Sequence, residues 1–317
     1  VALMRVLVVT AQQRLPDLTR VYECLAEQLS IVVVCLERTQ QCRLRQALAH
    51  LDLTSFQRIL LDLPFRNIQR QTTYLAGLRG LVLYEEDACQ NYLKKAPRRG
   101  QFSFFYSCLP QARVIVTGAR LATRLQAEGV AATFVSKGFN ASTLYVEDGP
   151  RDIELGFIGR TSSSSYEQRA KLLRKLALVE PLQQLRTKPG AAYRRMLNRI
   201  RVFVSADIGL DEYMAKNFEA MACGCAVVAW RQGEEEAAIG LQEGKHLLLY
   251  SSLGELLEQL ARLRNEPGLV EQLAQNGRAF VEQHLSYETL AAALLRVLQQ
   301  PPLPMVAPAP WWRRWFR

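Results

Sequence analysis

Apolar residues in the first part of this chain gather into short runs separated by polar stretches of helical spacing. Residues 5–10 (RVLVVT), 31–36 (IVVVCL), 58–63, 80–84, 113–116 and 132–135 are too short for helices, and several are rich in β-branched side chains, so each reads as a buried strand. Between the first two, residues 18–29 form an amphipathic helical pattern. Strands apolar on both faces that alternate with helices predict a parallel sheet covered by helices. After the polar stretch Glu147-Asp148-Gly149-Pro150 the alternation resumes. Strands are expected at 153–158, 201–205 and 226–230 and helices in the run from Lys171 and over 256–263 and 269–284, the last two divided by Pro267-Gly268, with the segment 191–198 before the strand 201–205 and the loop Asp207-Ile208-Gly209-Leu210 after it.

The fold class expected is therefore α/β, with two Rossmann-like domains. At 317 residues a single core is near its practical limit, and 49% apolar content supplies enough material for two. The expected division is residues 1–146, residues 147–290, and a terminal segment 291–317 made of a helix end and a tail. No run is long and uncharged enough to span a membrane, and VALMRVLVV lacks secretory anatomy because Arg5 sits inside the strand-like run, so a cytoplasmic location is expected. The seven scattered cysteines suit reduced thiols. Cys223 and Cys225 form one C-x-C in a chain with three histidines, a poor zinc set, so we expect them to pack and assign no metal. No G-x-G-x-x-G follows the first strand, which argues against a dinucleotide cofactor.

Candidate chemistry concentrates in residues 211–230, DEYMAKNFEAMACGCAVVAW. Asp211 and Glu219 are eight residues apart, which on one continuous helix would put both carboxylates on nearly the same side. Spacing alone favours two solvated acids on an amphipathic helix, since helix charges usually face water. Phe218, Ala220, Met221 and Ala222 supply the packing face, Gly224 suits a helix C-terminus, and 226–230 follows as a strand. The segment resembles the donor-sugar signature of retaining GT-B glycosyltransferases, E-x-F-G-x-x-x-x-E followed by A-x-A-x-G-x-P-V-V-A. Asp211, Tyr213 and Glu219 take the first-carboxylate, aromatic and second-carboxylate positions, and Ala220 to Ala229 continue in register. Met214 replaces the glycine of the pattern, and Asp211 is shorter than its glutamate.

The resemblance implies a two-domain GT-B fold with an interdomain cleft, a nucleotide diphosphate sugar as donor substrate, no cofactor and no metal. It implies that Glu219 holds the ribose hydroxyls and that Asp211 lies near the donor sugar, with Lys216, otherwise an exposed helix lysine, assisting the diphosphate. Lys137-Gly138-Phe139-Asn140 is similar to the glycine-containing segment that closes the first domain of such proteins, which makes Lys137 and Gly138 donor-side candidates; Gly138 is expected to permit a backbone turn. Arg160, after the strand 153–158, and Arg169, in the following helix, are the implied diphosphate contacts; the alternative for Arg160 is a solvated loop charge. Ser164 and Glu167 have capping-box spacing, so a helix N-terminus is expected to face that loop, and Ser165 stands where the family pattern has lysine. Residues 244–252 resemble the family's next strand and its polar continuation.

On the acceptor side, Glu85-Glu86-Asp87 follows an apolar strand, and Asp87 is the residue chosen to orient or deprotonate an acceptor hydroxyl, with a solvated acidic turn as the alternative. Forty Lys and Arg against 30 Asp and Glu give a net charge of +10. The end of the chain directs this toward lipid rather than nucleic acid. After a proline-rich stretch, residues 311–317 (WWRRWFR) combine three of the four tryptophans with three arginines, which suits an anionic membrane surface. A strap against the first domain or a disordered end are the alternatives. The expected protein is a retaining glycosyltransferase, peripheral on the inner face of the cytoplasmic membrane, that uses a glycan or lipid-linked acceptor in surface-polysaccharide or lipopolysaccharide-core synthesis. A nucleotide-sugar epimerase and a non-catalytic binding module are the competing readings.

Overall fold

The computed structural model describes residues 3–94, 96–162 and 166–305. The expected cap at Ser164, the lysine-equivalent Ser165 and the segment 311–317 lie outside these residues. The chain divides into two compact units, one formed by the residues up to Val135 together with those from Leu290 on, the other by Ser136–Thr289.

The first unit contains a six-stranded sheet of β1 (Arg5–Ala11), β2 (Ser30–Leu36), β3 (Arg58–Asp62), β4 (Leu81–Glu85), β5 (Arg113–Val116) and β6 (Ala132–Phe134). Its order is β2-β1-β3-β4-β5-β6, and all pairs are parallel. After the first residue every side chain of β1 is buried, as are all those of β3 and β4, which is why these segments read as unbroken apolar runs. Between β1 and β2 the helix Leu15–Ala26 begins earlier than its apolar periodicity suggests, because Pro16 falls in its first turn, where the absent N–H has no intrahelical role.

The second unit contains β7 (Ile153–Ile158), β8 (Leu182–Leu185), β9 (Ile200–Ser205), β10 (Ala226–Trp230) and β11 (Leu248–Tyr250), all pairs parallel, in the order β11-β10-β9-β7-β8. Separate apolar clusters pack on its faces. One is built on Phe203, Phe218, Met221 and Val227, the other on Val204, Val228, Leu256 and Leu273.

Numbered within its own unit, each sheet has its first strand between its second and its third. The winding therefore reverses between β1 and β3 in one unit and between β7 and β9 in the other, the topology in which ligands bind beyond the carboxyl ends of the two strands.

The division between units falls at Val135, earlier than the expected boundary at 146. Residues 136–146 belong to the second unit because Phe139 is 1% exposed and bridges to Ser286. The Phe139 amide donates to Leu285 O at 3.0 Å, and the Tyr287 amide donates to Phe139 O at 2.9 Å. Asn198 adds a second tie, donating to Tyr145 O at 3.0 Å and accepting from the Glu147 amide at 2.7 Å. At the other end, the helix Tyr287–Gln299 passes into the first unit at Leu290. Among the described residues no helix is long and apolar enough to cross a membrane.

Candidate active site

The second sheet's switch point is assembled by a buried polar network. Asp207, two residues beyond β9, is 6% exposed. Its Oδ1 lies 2.5 Å from Arg169 Nη2, and its Oδ2 accepts from Ser205 Oγ at 3.1 Å and Asn217 Nδ2 at 3.0 Å. Arg169 Nε donates to Ala206 O at 3.0 Å and Nη1 to Arg160 O at 3.2 Å, while its guanidinium lies over the Tyr166 ring. One arginine thus joins the loop after β7 to the loop after β9. With its guanidinium buried in these contacts, Arg169 is a brace between loops, not the outward phosphate contact expected from the sequence. Arg160 is the cation that points outward: its carbonyl is held by Arg169 and the residue is exposed.

Beside this network stands the helix Ala215–Ala222, shorter than the sequence suggests. Its N-cap is Met214, in extended conformation. Asp211 lies three positions before that cap, at φ +55°, among the described residues the one non-glycine with positive φ. The two carboxylates of the motif therefore do not share a helix face; a turn at Asp211 separates them. The next residue, Glu212, is buried and its Oε1 lies 3.1 Å from Lys137 Nζ. Lys137 is itself 7% exposed and also reaches Met214 Sδ at 3.9 Å, so it anchors the turn from inside. Gly138 has no positive φ. A Cβ there would lie 2.9 Å from Leu285 O, so the glycine serves a close backbone approach and not the expected turn.

Lys216 and Glu219, three residues apart, project from one side of the helix. Lys216 Nζ donates to Ile158 O at 3.2 Å, at the end of β7. Gly159 leaves room for it: an added Cβ would come within 3.0 Å of Nζ and 2.7 Å of the Phe157 ring. Burial, and then the positive charge of Arg169, lowers the Lys216 pKa. Half-buried Glu219 accepts from Tyr193 OH at 2.6 Å, and burial, reinforced by the carboxylate, holds that phenol well above its ordinary pKa, so it remains a donor. A wall behind the site is fixed by Glu236, whose Oε1 accepts from Tyr213 OH at 2.9 Å and from the Gln232 amide at 2.6 Å. Gln232 Nε2 in turn donates to Asp207 O at 2.9 Å.

Tyr193, Asp207, Glu212, Asn217 and Glu236 escaped the sequence reading. Asp207 lies in the loop after β9, and a short carboxylate placed just beyond a buried strand is the available signal. Cys223 and Cys225 are buried, and Cys225 Sγ contacts Leu197 O at 3.2 Å. Burial pushes the Cys225 thiol up to about 12, which suits packing rather than reaction. Among the described residues no group of three or more His, Cys, Asp or Glu side chains is placed to hold a metal ion. In the first unit Asp87 is exposed and its amide donates to Glu85 Oε1 at 2.8 Å; the two glutamates before it are buried or half-buried.

Residues 161–296 match the family model described as glycosyl transferase-like. No curated protein matches the chain by sequence. Sucrose-phosphate synthase from Thermosynechococcus elongatus superposes with a TM-score of 0.67 at 12% identity, over 94% of this chain and 98% of that one. Anabaena HepE in complex with UDP and glucose gives 0.67 at 13% identity, over 94% and 100%. A glycosyltransferase from Rickettsia africae gives 0.62 at 11% identity, over 94% and 98%. The paired α/β sheets and these superpositions show that the chain has the GT-B fold, within which residues 161–296 match the glycosyl transferase-like model.

Proposed function

We propose that this protein is a retaining glycosyltransferase that moves a sugar from a nucleotide diphosphate sugar to a hydroxyl of a glycan or lipid-linked acceptor. The observation that carries the reading is the pairing of Lys216 and Glu219 on one face of a helix at the carboxyl end of β7, a cation for the diphosphate beside an acceptor-only group for the ribose diol. The anomeric C–O bond breaks toward the diphosphate, and the acceptor oxygen bonds to the anomeric carbon from the same face. The acceptor's proton leaves with the diphosphate oxygen. The charge growing on that leaving group is met by Arg160 from the loop after β7 and by Lys216, held in place before reaction begins. Arg169 contributes by fixing both loops. Asp211, on its strained turn, lies on the sugar side, and the Lys137–Glu212 pair supports that turn, while Gly138 beside Lys137 lets the backbone approach Leu285.

The HepE structures with UDP and with UDP-glucose make UDP the first nucleotide to try. Surface-polysaccharide or lipopolysaccharide-core assembly at the inner membrane face is the setting proposed, on the composition of residues 311–317. A thermal-shift series with UDP, GDP, CDP, ADP and dTDP should find one nucleotide that raises the melting midpoint of the wild type and fails to do so for Glu219→Ala. If no nucleotide raises it, the donor-site reading falls.

A further inference from the structure

The switch point of the first sheet is built like that of the second. Asp62, the last residue of β3, is 2% exposed, and its Oδ1 lies 2.6 Å from Arg14 Nε, in the segment after β1. Its Oδ2 accepts from Tyr22 OH at 2.7 Å and Thr10 Oγ1 at 3.0 Å. In each unit, then, a buried aspartate at or just beyond the end of the third strand meets an arginine supplied after the first strand, and side-chain donors complete the carboxylate, two hydroxyls for Asp62 and a hydroxyl and an amide for Asp207. The two differ in what the arginine does next. Arg169 is covered, whereas the side chain of Arg14 is 25% exposed and its Nη1 donates to Glu86 Oε2 at 3.1 Å. Tyr84 OH donates to the other oxygen, Glu86 Oε1, at 2.9 Å, and burial keeps that phenol protonated. Glu86 itself is 28% exposed. The brace of the first unit therefore ends in a carboxylate held from both oxygens and open to solvent, where an unbraced surface glutamate would swing freely.

The charge around it narrows the ligand. Arg14 already faces two carboxylates, Asp62 and Glu86. The exposed Asp17 is near enough to feel Arg14 and Glu86, and exposed Asp87 is the next residue. Such a rim repels phosphate and suits groups that donate hydrogen bonds without charge. We propose that Glu86, positioned by Arg14 and Tyr84, recognises hydroxyls of the acceptor and selects a neutral polyol over a phosphorylated one. This rests on the glycosyltransferase reading and adds the acceptor's chemical class.

The test uses the full chain with UDP present and follows saturation transfer to methyl glucoside, methyl galactoside and methyl N-acetylglucosaminide, and to their 6-phosphates, for wild type, Glu86→Gln and Glu86→Asp. At least one neutral glycoside should bind the wild type, tenfold or more tightly than its 6-phosphate, and Glu86→Gln should weaken it at least tenfold. Equal or tighter binding of the phosphates, no binding of any neutral glycoside, or a loss below threefold in Glu86→Gln would overturn the assignment. Glu86→Asp, which keeps the charge and shortens the reach, should fall between wild type and Glu86→Gln. The UDP thermal shift of the same samples separates the two readings: retained in all three proteins, it leaves the donor site standing whatever the acceptor result.

Discussion

Arg169 and Asp207 meet where water is nearly excluded, with side chains 7% and 9% exposed. Removing one partner from such a pair leaves a buried charge without its counter-ion, which costs about 3–5 kcal/mol. Arg169→Ala should therefore lower the urea midpoint by an amount corresponding to that loss, and nucleotide binding should fail with it because the loops after β7 and β9 are no longer joined. Arg160 makes the contrasting case. Its side chain is exposed, so Arg160→Ala should change stability by no more than about 0.5 kcal/mol. By calorimetry the variant should weaken a nucleoside diphosphate roughly tenfold or more, in line with a charged hydrogen bond, and leave the nucleoside almost unaffected. Equal losses for both ligands would remove Arg160 from the diphosphate site. Glu85 offers a pH signature. Burial first, and then the charge of Asp87, pushes its carboxyl up to about 8. The folded protein keeps a proton that the unfolded chain releases near its ordinary value of about 4.3, so this group's contribution is full below that value and declines as pH rises toward about 8. Glu85→Gln, which cannot titrate, should flatten the fall in urea midpoint between about pH 5 and about pH 8; an unchanged slope would rule Glu85 out as its source.

At the scale of elements, the sequence was legible where a strand is buried on both faces. β1 and β10 stand out as β-branched or apolar runs because, after Arg5, hardly any side chain on either face meets solvent, and β7 stands out despite one exposed residue, Glu154. β8 was invisible for the opposite reason: LQQL is an edge strand with its two glutamines exposed, so it lacks an apolar run. The helix of the donor motif was overextended because residue spacing carries no information on backbone sign, and Asp211 adopts the left-handed conformation that aspartate tolerates better than most residues. Braces such as Arg169–Asp207 join distant positions and follow no period. Gly224 was read correctly as a helix end, and it supports a quantitative test. It has φ +78°, and an added Cβ would lie 2.6 Å from Arg151 Nη2. Gly129 has φ +84° with nothing within 4 Å. Gly129→Ala should cost only the left-handed penalty, about 1–2 kcal/mol, while Gly224→Ala adds a steric term of about 1–3 kcal/mol and displaces the arginine that ties Cys223 O to Ile200 O. Equal thermal midpoints for the two variants would show that Arg151 moves aside without cost.

For the whole molecule, the end of the described chain separates two roles that composition alone leaves together. Arg58, at the start of β3 and 7% exposed, donates to Gln300 O, and Arg113, at the start of β5, donates to Pro301 O at 2.9 Å. These two carbonyls fasten the segment after the last helix to the amino ends of the first sheet's strands. Residues 311–317, with their tryptophans and arginines, lie farther along. If they serve a membrane surface, their effect should scale with lipid charge at about 1 kcal/mol per arginine, about 3 kcal/mol for the three, and should weaken as salt shortens the Debye length. Truncation after Met305 should therefore leave the melting midpoint unchanged and reduce binding to phosphatidylglycerol vesicles by on the order of a hundredfold, with little binding to phosphatidylcholine in either protein. Truncation after Gln299 should lower the midpoint as well, because Arg58 and Arg113 lose their carbonyl partners. A midpoint that already falls with the shorter truncation, with vesicle binding intact, would make residues 306–317 a strap on the fold and remove the membrane from the account of this protein.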